Sequence, residues 1–218
     1  MNSLDVNLPR QRAIEEVRAL RARIQALDDN ALDLIFREAR THYTWLDKDV
    51  PDAIIHELYE IVKATPTSGN GNPVRYAFVK SNEAKARLLE CVNEGNKIKV
   101  QTAPVTVIVA YDLEFWMNLA RLNPHKDMSG KLEIDPGKAK TDAFRNSTLQ
   151  GAYLMLAARA LGLDVGPLSG FSNEAVDEQF FKNGSFRSNF LCNVGYGNAD
   201  GIFPRLPRLD FDEVCEII

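Results

Sequence analysis

Cysteine and histidine are both scarce in this chain, with three of each in 218 residues. Cys91, Cys192 and Cys215 lie far apart and form no CxxC pair, so they read as reduced, buried or half-buried thiols rather than a disulfide framework. His42, His56 and His125 show no metal-ligand spacing, which gives no metal site. Long apolar runs are missing too: none approaches the ~20 residues that cross a bilayer. The opening MNSLDVNLPRQR has no apolar core of the kind a secretory signal carries. The expectation is therefore a cytoplasmic protein with no membrane partner. A net charge of −4 gives no electrostatic case for nucleic acid. Repeats and low-complexity tracts are also lacking.

What is present is ordinary for a globular protein: 45% hydrophobic and 26% charged residues. The length suits one domain, or one and a small appendage, and needs no staples to hold a core. The organising stretch runs from Ala143 to Phe171. Gly151 to Leu161 is apolar on nearly every face, as a buried helix would be. Gly162 is placed for a left-handed cap. Gly166-Pro167-Leu168-Ser169-Gly170-Phe171 then reads as a rigid turn rich in exposed backbone, suited to holding something flat with polar edges.

Ahead of it, Gln11 to Leu27 has helical apolar spacing and heavy charge, and needs a surface to lie on. A second helix is expected over 31–39, after the cap-type residues Asp28 to Asn30. Arg40-Thr41-His42-Tyr43-Thr44-Trp45 is basic, hydroxylic and aromatic. Arg40 suits either a helix C-terminus or a phosphate. A helix is expected from Pro51 to Ala64. The stretch 65–73, rich in Pro, Gly, Asn and hydroxyls, reads as a polar turn where a ligand could approach backbone. It matches neither a Walker loop nor a dinucleotide fingerprint. Strands are expected over 74–79, 105–110 and 188–194. Helices are expected over 83–92, capped by Asn82, around Phe115 to Leu122, and over 173–181. Residues 123–140 read as a long charged loop, a candidate lid.

The order of these pieces resembles the nitroreductase family of flavin enzymes. The resemblance rests on Arg40-Thr41-His42, on Pro66-Thr67-Ser68-Gly69-Asn70-Gly71-Asn72-Pro73, and on Asn96 and Lys99 before Ala103-Pro104. It continues in Ala-Leu-Gly-Leu-Asp (160–164), Gly-Pro-Leu-Ser-Gly-Phe (166–171), Gly195-Tyr196-Gly197 and Pro207-Arg208-Leu209. It covers about residues 30 to 218, leaving 1–29 as an N-terminal helical extension that could clasp a partner subunit. It implies an α+β fold, with a central, mostly antiparallel sheet wrapped by helices, built as an intertwined homodimer. It also implies FMN at the subunit interface and NADH or NADPH as co-substrate, with hydride passing through flavin N5 in ping-pong order. No side chain then needs to be a catalytic nucleophile or acid.

Site residues follow by position. Arg40, Thr41 and His42 match the phosphate-side motif, with Arg208 and, less closely, Arg205 as further arginines. Asn70 belongs to the polar turn that faces the cofactor. Asn96 and Lys99 match the pyrimidine and ribityl side, and Asn146 reaches the ribityl chain. Pro167, Leu168, Ser169 and Gly170 match the turn along the isoalloxazine ring. Two departures stand out: Ser169 where many members carry Glu, and Asn72 where they carry Gln. Within the family, ART-H (39–42), PTSGN (66–70), AFRNS (143–147) and RLPRL (205–209) resemble the branch that reduces malonic semialdehyde to 3-hydroxypropionate. A broad nitro- or quinone reductase, and a flavin-binding protein without turnover, stay open beside it.

Overall fold

The structure is a computed structural model that describes residues 3–126, 129–182 and 184–218. The chain divides into two compact units, the first ending at Ala39 and the second running from Arg40 to Ile218. In the first, helix α1 spans Ser3–Arg23 and α2 spans Asp29–Leu32, continued by a wider π-type turn over Asp33–Arg37. The Asp28 carboxylate caps α2 by accepting from Ala31 N–H at 2.8 Å. Helix α1 thus begins earlier and ends earlier than the expected 11–27.

The second unit is built on four strands: β1 (Val74–Val79), β2 (Val105–Asp112), β3 (Asp164–Leu168) and β4 (Phe186–Gly195). They form one sheet in the order β1-β2-β4-β3, antiparallel at every pairing. This is the expected α+β architecture with an antiparallel sheet. Every residue of β2 is buried, as its β-branched run requires of a central strand. Its alternate side chains feed two cores. Val105, Val107 and Val109 pack with Leu154 and Ala158 on one face, while Ile108 packs with Leu88, Val100 and Val176 on the other.

Helices α3 (Asp52–Val62), α4 (Asn82–Cys91), α5 (Glu94–Thr102) and α6 (Leu119–Leu122) precede α7 (Ser129–Ile134), α8 (Pro136–Ala160), α9 (Asn173–Phe180) and α10 (Phe211–Val214). Helix α8 starts where Asp135 accepts from Lys138 N–H at 3.0 Å and Pro136 fills the first turn. It stops at Gly162, φ 75°, with Gly162 N–H bonded to Arg159 O and Leu163 N–H to Ala158 O. That pair of bonds is the Schellman cap. Gly151 lets α8 sit close on the sheet: a Cβ there would lie 2.5 Å from Phe190 Cζ.

Several expectations need correction. The stretch 123–140 is not one long loop: α7 and the first turn of α8 occupy its second half, with the Asp135 cap supplying a helix start that the charge pattern hid. The lid reading also involves Asp127 and Met128, which lie outside the described residues. Gly166 to Leu168 lie in strand β3, paired to β4, rather than in a turn. The cap of α4 is Ser81, whose hydroxyl accepts from Ala84 N–H, not Asn82. Helix α8 is not buried all round: Leu154, Ala157 and Ala158 are buried, but Tyr153 is exposed. Cys215 is exposed as well, while Cys91 and Cys192 are buried free thiols.

Candidate functional site

Strand β3 and the short turn after it form one wall of a cavity of about 250 Å³. It is lined by Thr41, His42, Tyr43, Asn96, Lys99, Asn193 and the segment Gly166 to Gly170. Four separate pieces of chain meet there. The backbone around Thr41 bridges to Val165, and His42 N–H donates to Val165 O at 3.0 Å, which pins the first piece to the strand. Helix α5 supplies Asn96 and Lys99 from successive turns. Lys99 Nζ donates to Asn96 Oδ1 at 2.9 Å and lies 5.0 Å from the Tyr43 ring centroid. Asn96 Nδ2 donates to Gly170 O at 3.3 Å.

Glycine lets other groups come close at both ends of the wall. A Cβ on Gly166 would lie 2.4 Å from His42 O, and one on Gly170 would lie 2.3 Å from Asn96 Nδ2. The floor contains Asn193 of β4, fully buried. Its Nδ2 donates to Lys99 O at 3.1 Å and its Oδ1 accepts from Thr106 Oγ1 at 2.7 Å. Beneath Pro167, Cys192 is its partner in the register, and burial pushes that thiol up to about 12.

His42 sits differently from Thr41. Its Nε2 is 3.2 Å from Asp164 Oδ1, and Asp164 Oδ2 accepts from Gly197 N–H at 2.8 Å. The ring lies so close to Gly197 that a Cβ there would be 1.8 Å from Nδ1. Nδ1 of His42 and Nε1 of Trp45 are buried without a hydrogen-bond partner. The imidazole packs into this corner, and the His42 backbone supports the wall.

Arg40 joins the same neighbourhood through the tail: its Nη2 donates to Phe203 O, and the Phe203 ring meets the Tyr43 ring edge-on at 5.5 Å between centroids. Arg208 is exposed, with Nη1 donating to Leu206 O and Pro207 O at 3.0 Å. Arg205 is exposed and belongs to the same tail.

Asn70 and Asn146 form a second cluster, away from this lining. The turn at 67–72 holds three residues at positive φ: Gly69 at 59°, Asn70 at 55° and Asn72 at 45°. For non-glycine residues that conformation persists only when neighbours fix it. Here they do. Asn146 Oδ1 accepts from Ser68 N–H at 2.8 Å, and Asn72 Nδ2 donates to Asn70 O and Oδ1 at 2.9 Å. Gln150, 2% exposed, donates to Asn72 Oδ1 at 3.3 Å and accepts from Val74 N–H at 3.1 Å. Asn70 Nδ2 and Asn123 Nδ2 tie the turn to α6 and its end, at Leu122 O and Gly69 O. This cluster borders a larger cavity of about 860 Å³, which also takes in Tyr59, Arg75 and Arg121.

Tyr43, Asn193 and Gln150 were not among the expected site residues. A carboxamide within the apolar end of a strand, or directly before the apolar stretch of a helix, is the signal that would have found the last two.

The chain matches the profile of the nitroreductase family over residues 36–196, and it belongs to that family. It is 54% identical over 191 residues to a protein of Burkholderia lata named "Putative NADH dehydrogenase/NAD(P)H nitroreductase", with 88% of this chain and 98% of that one covered. A protein of the same name from Rhodopseudomonas palustris is 53% identical over 192 residues, with the same coverage. Among solved structures, a nitroreductase-type protein of Exiguobacterium sibiricum in complex with FMN superposes with a TM-score of 0.76. It is 20% identical and covers 88% of this chain and 98% of its own. That likeness shows a shared fold.

Proposed function

We propose that this protein is an FMN-dependent NAD(P)H oxidoreductase acting as a homodimer, with malonic semialdehyde as its acceptor. The observation that carries the reading is the 250 Å³ cavity that gathers Thr41, Asn96, Lys99 and the backbone of 166–170. The donor set fits a flavin mononucleotide: an ammonium, a carboxamide, a hydroxyl, and a glycine-bounded backbone wall that lets a flat ring approach. FMN, when bound, accepts hydride from a nicotinamide and passes it to a second substrate.

The residues of the chain would bind and orient it. Lys99, held by Asn96, is the cation that would offset the negative charge gained on reduction. Thr41, Arg40 and Arg208, with Arg205, would hold the phosphate, for which arginine forks are suited. Ser169 is exposed at the wall and leaves room for the nicotinamide and then for the acceptor.

Size favours a second chain. Ligand cavities run at roughly 300–1,000 Å³, and this one falls below that range. Asn70 and Asn146, in the other cluster, would complete the site from the partner subunit. The tail supports this too: Leu206, Leu209, Phe211, Ile217 and Ile218 are exposed on the single chain. No described helix is long and apolar enough to cross a membrane, which suits the proposed cytoplasmic location.

The acceptor is proposed from the sequence phrases shared with the malonic semialdehyde branch. The test is the visible spectrum of the purified protein before and after anaerobic NADH, followed by turnover with malonic semialdehyde and with a nitroaromatic. A flavin spectrum that bleaches, with faster turnover of the aldehyde, is expected. A colourless protein that takes up no FMN would overturn the whole reading, and faster nitroaromatic turnover would overturn the acceptor alone.

A further inference from the structure

Helix α1 carries an apolar stripe with a seven-residue repeat. Ala13, Val17, Leu20 and Ile24 recur at spacings of four, three and four. The helical geometry reaches Ile24, whose N–H donates to Leu20 O at 2.8 Å. Val17, Leu20 and Ile24 are 60%, 48% and 46% exposed. A stripe at this spacing is the seam of a coiled coil. Val17 and Ile24 occupy the a positions, and Ala13 and Leu20 the d positions.

We propose that α1 pairs with α1 of a second copy of this chain, parallel and in register, as a short two-stranded coiled coil. Two features choose this occupant. β-Branched residues at a with leucine at d favour parallel dimers. The flanks are also complementary: Glu16 stands at g and Arg21 at the following e, the two positions that meet across a parallel pair. Arg10, at the preceding a position, would face its own copy and marks where the seam begins.

Two heptads are too short to hold together alone. The pairing rests on the homodimer proposed above, which tethers two α1 helices and raises their effective concentration to roughly millimolar. The helix then serves as a clamp between subunits.

The test is disulfide trapping in the full-length protein carrying Cys215→Ser, since Cys91 and Cys192 are buried and Cys215 is the exposed thiol. Leu20→Cys, on the seam, should give covalent dimer as the main species under mild oxidation. Ala22→Cys, on the outer face, should give at least ten times less. Equal trapping at both positions, or none at Leu20→Cys, overturns the pairing. Light scattering on the same samples separates the two ideas: a dimeric mass without selective trapping removes the coiled coil and keeps the homodimer, whereas a monomeric mass removes both. Register is read by adding Arg21→Glu to the Leu20→Cys protein, which should slow trapping several-fold by setting Glu16 against a second carboxylate across the pair. Adding Glu16→Arg as well should restore it. A rate unchanged by Arg21→Glu overturns the parallel register.

Discussion

The wall at 166–170 and the turn at 67–72 are both made of small, polar residues, yet different forces hold them. The wall is half strand: Gly166, Pro167 and Leu168 pair with Asn193, Cys192 and Leu191 of β4, so the sheet fixes it. The turn has no sheet behind it. Its three positive-φ residues are held by a relay of carboxamides running from Gln150 through Asn72 and Asn70 to α6. A ladder resists local change at one residue, because its neighbours stay paired. A relay fails as a unit when one member is lost. The two proposed halves of the site should therefore break in different ways.

The wall breaks sterically. Gly166→Ala forces a Cβ against His42 O, a backbone atom fixed by its own bridge to β3. Overpacking of this kind costs about 3 kcal/mol, read as a lower denaturant midpoint, with loss of whatever the cavity holds. A midpoint within experimental error of the unmodified protein would show that the wall can move. The turn breaks through hydrogen bonds. Gln150→Leu keeps the bulk of a buried side chain but leaves Val74 N–H and Asn72 Oδ1 unpaired. Unsatisfied half-buried groups cost about 1 kcal/mol here, and amide exchange should quicken across 68–72 while 164–168 stays protected. Equal exchange changes in both segments would erase the distinction drawn between ladder and relay.

The same contrast explains what the sequence could show. Strand β1 was legible to the residue, and β2 and β4 nearly so, because short runs of β-branched and aromatic residues with turn residues near their ends leave few alternatives. The Gly162 cap was legible because only glycine takes that φ cheaply. The Gly/Pro composition of 166–171 concealed a strand, since pairing with β4 is a long-range fact that no local pattern carries. The helical half of 123–140 was hidden by its charge and by the Pro and Gly near Asp135. Thr41, His42, Asn96, Lys99 and residues 167–170 line one cavity. Asn70 and Asn146 stand in a second cluster, as a site split across the chains of the proposed homodimer would require. His42 lines the same cavity as Thr41, and its ring also meets Asp164 and Gly197.

A third substitution separates binding from architecture. Lys99→Met retains the stem of the side chain and removes a charge that donates to Asn96 and faces the Tyr43 ring. The fold should change by less than about 0.5 kcal/mol, as is usual away from the core. Loss of a charge-assisted contact should weaken FMN retention by roughly tenfold, measured by fluorescence as flavin dissociates. Gln150→Leu should show the reverse balance, a larger loss of stability for each step in retention. If Lys99→Met leaves retention unchanged, the ammonium does not face the cofactor, and the wall side would hold the ring through backbone alone.

The smallest effect at neutral pH becomes visible only in alkali, and only on the wall side. Burial raises the Cys192 thiol from its ordinary value of 9.0 to about 12, and Cys192 pairs with Pro167 under the wall. A group whose folded pKa is raised binds its proton more firmly when folded. The stability this gives is complete below pH 9 and is lost as pH rises from 9 towards 12. Tyr76, also raised by burial, acts in the same sense, whereas half-buried Lys85 is lowered by desolvation and opposes it. Cys192→Ala isolates the thiol: it should lower stability at neutral pH by leaving a small cavity, yet flatten the decline above pH 9 relative to the unmodified protein. Parallel curves for the two proteins across that alkaline range would mean that the thiol does not titrate on unfolding there. Alkaline loss of the fold would then belong to the other groups that burial raises: Tyr76, which donates to Gln150 O at 3.0 Å, Tyr111 and Cys91.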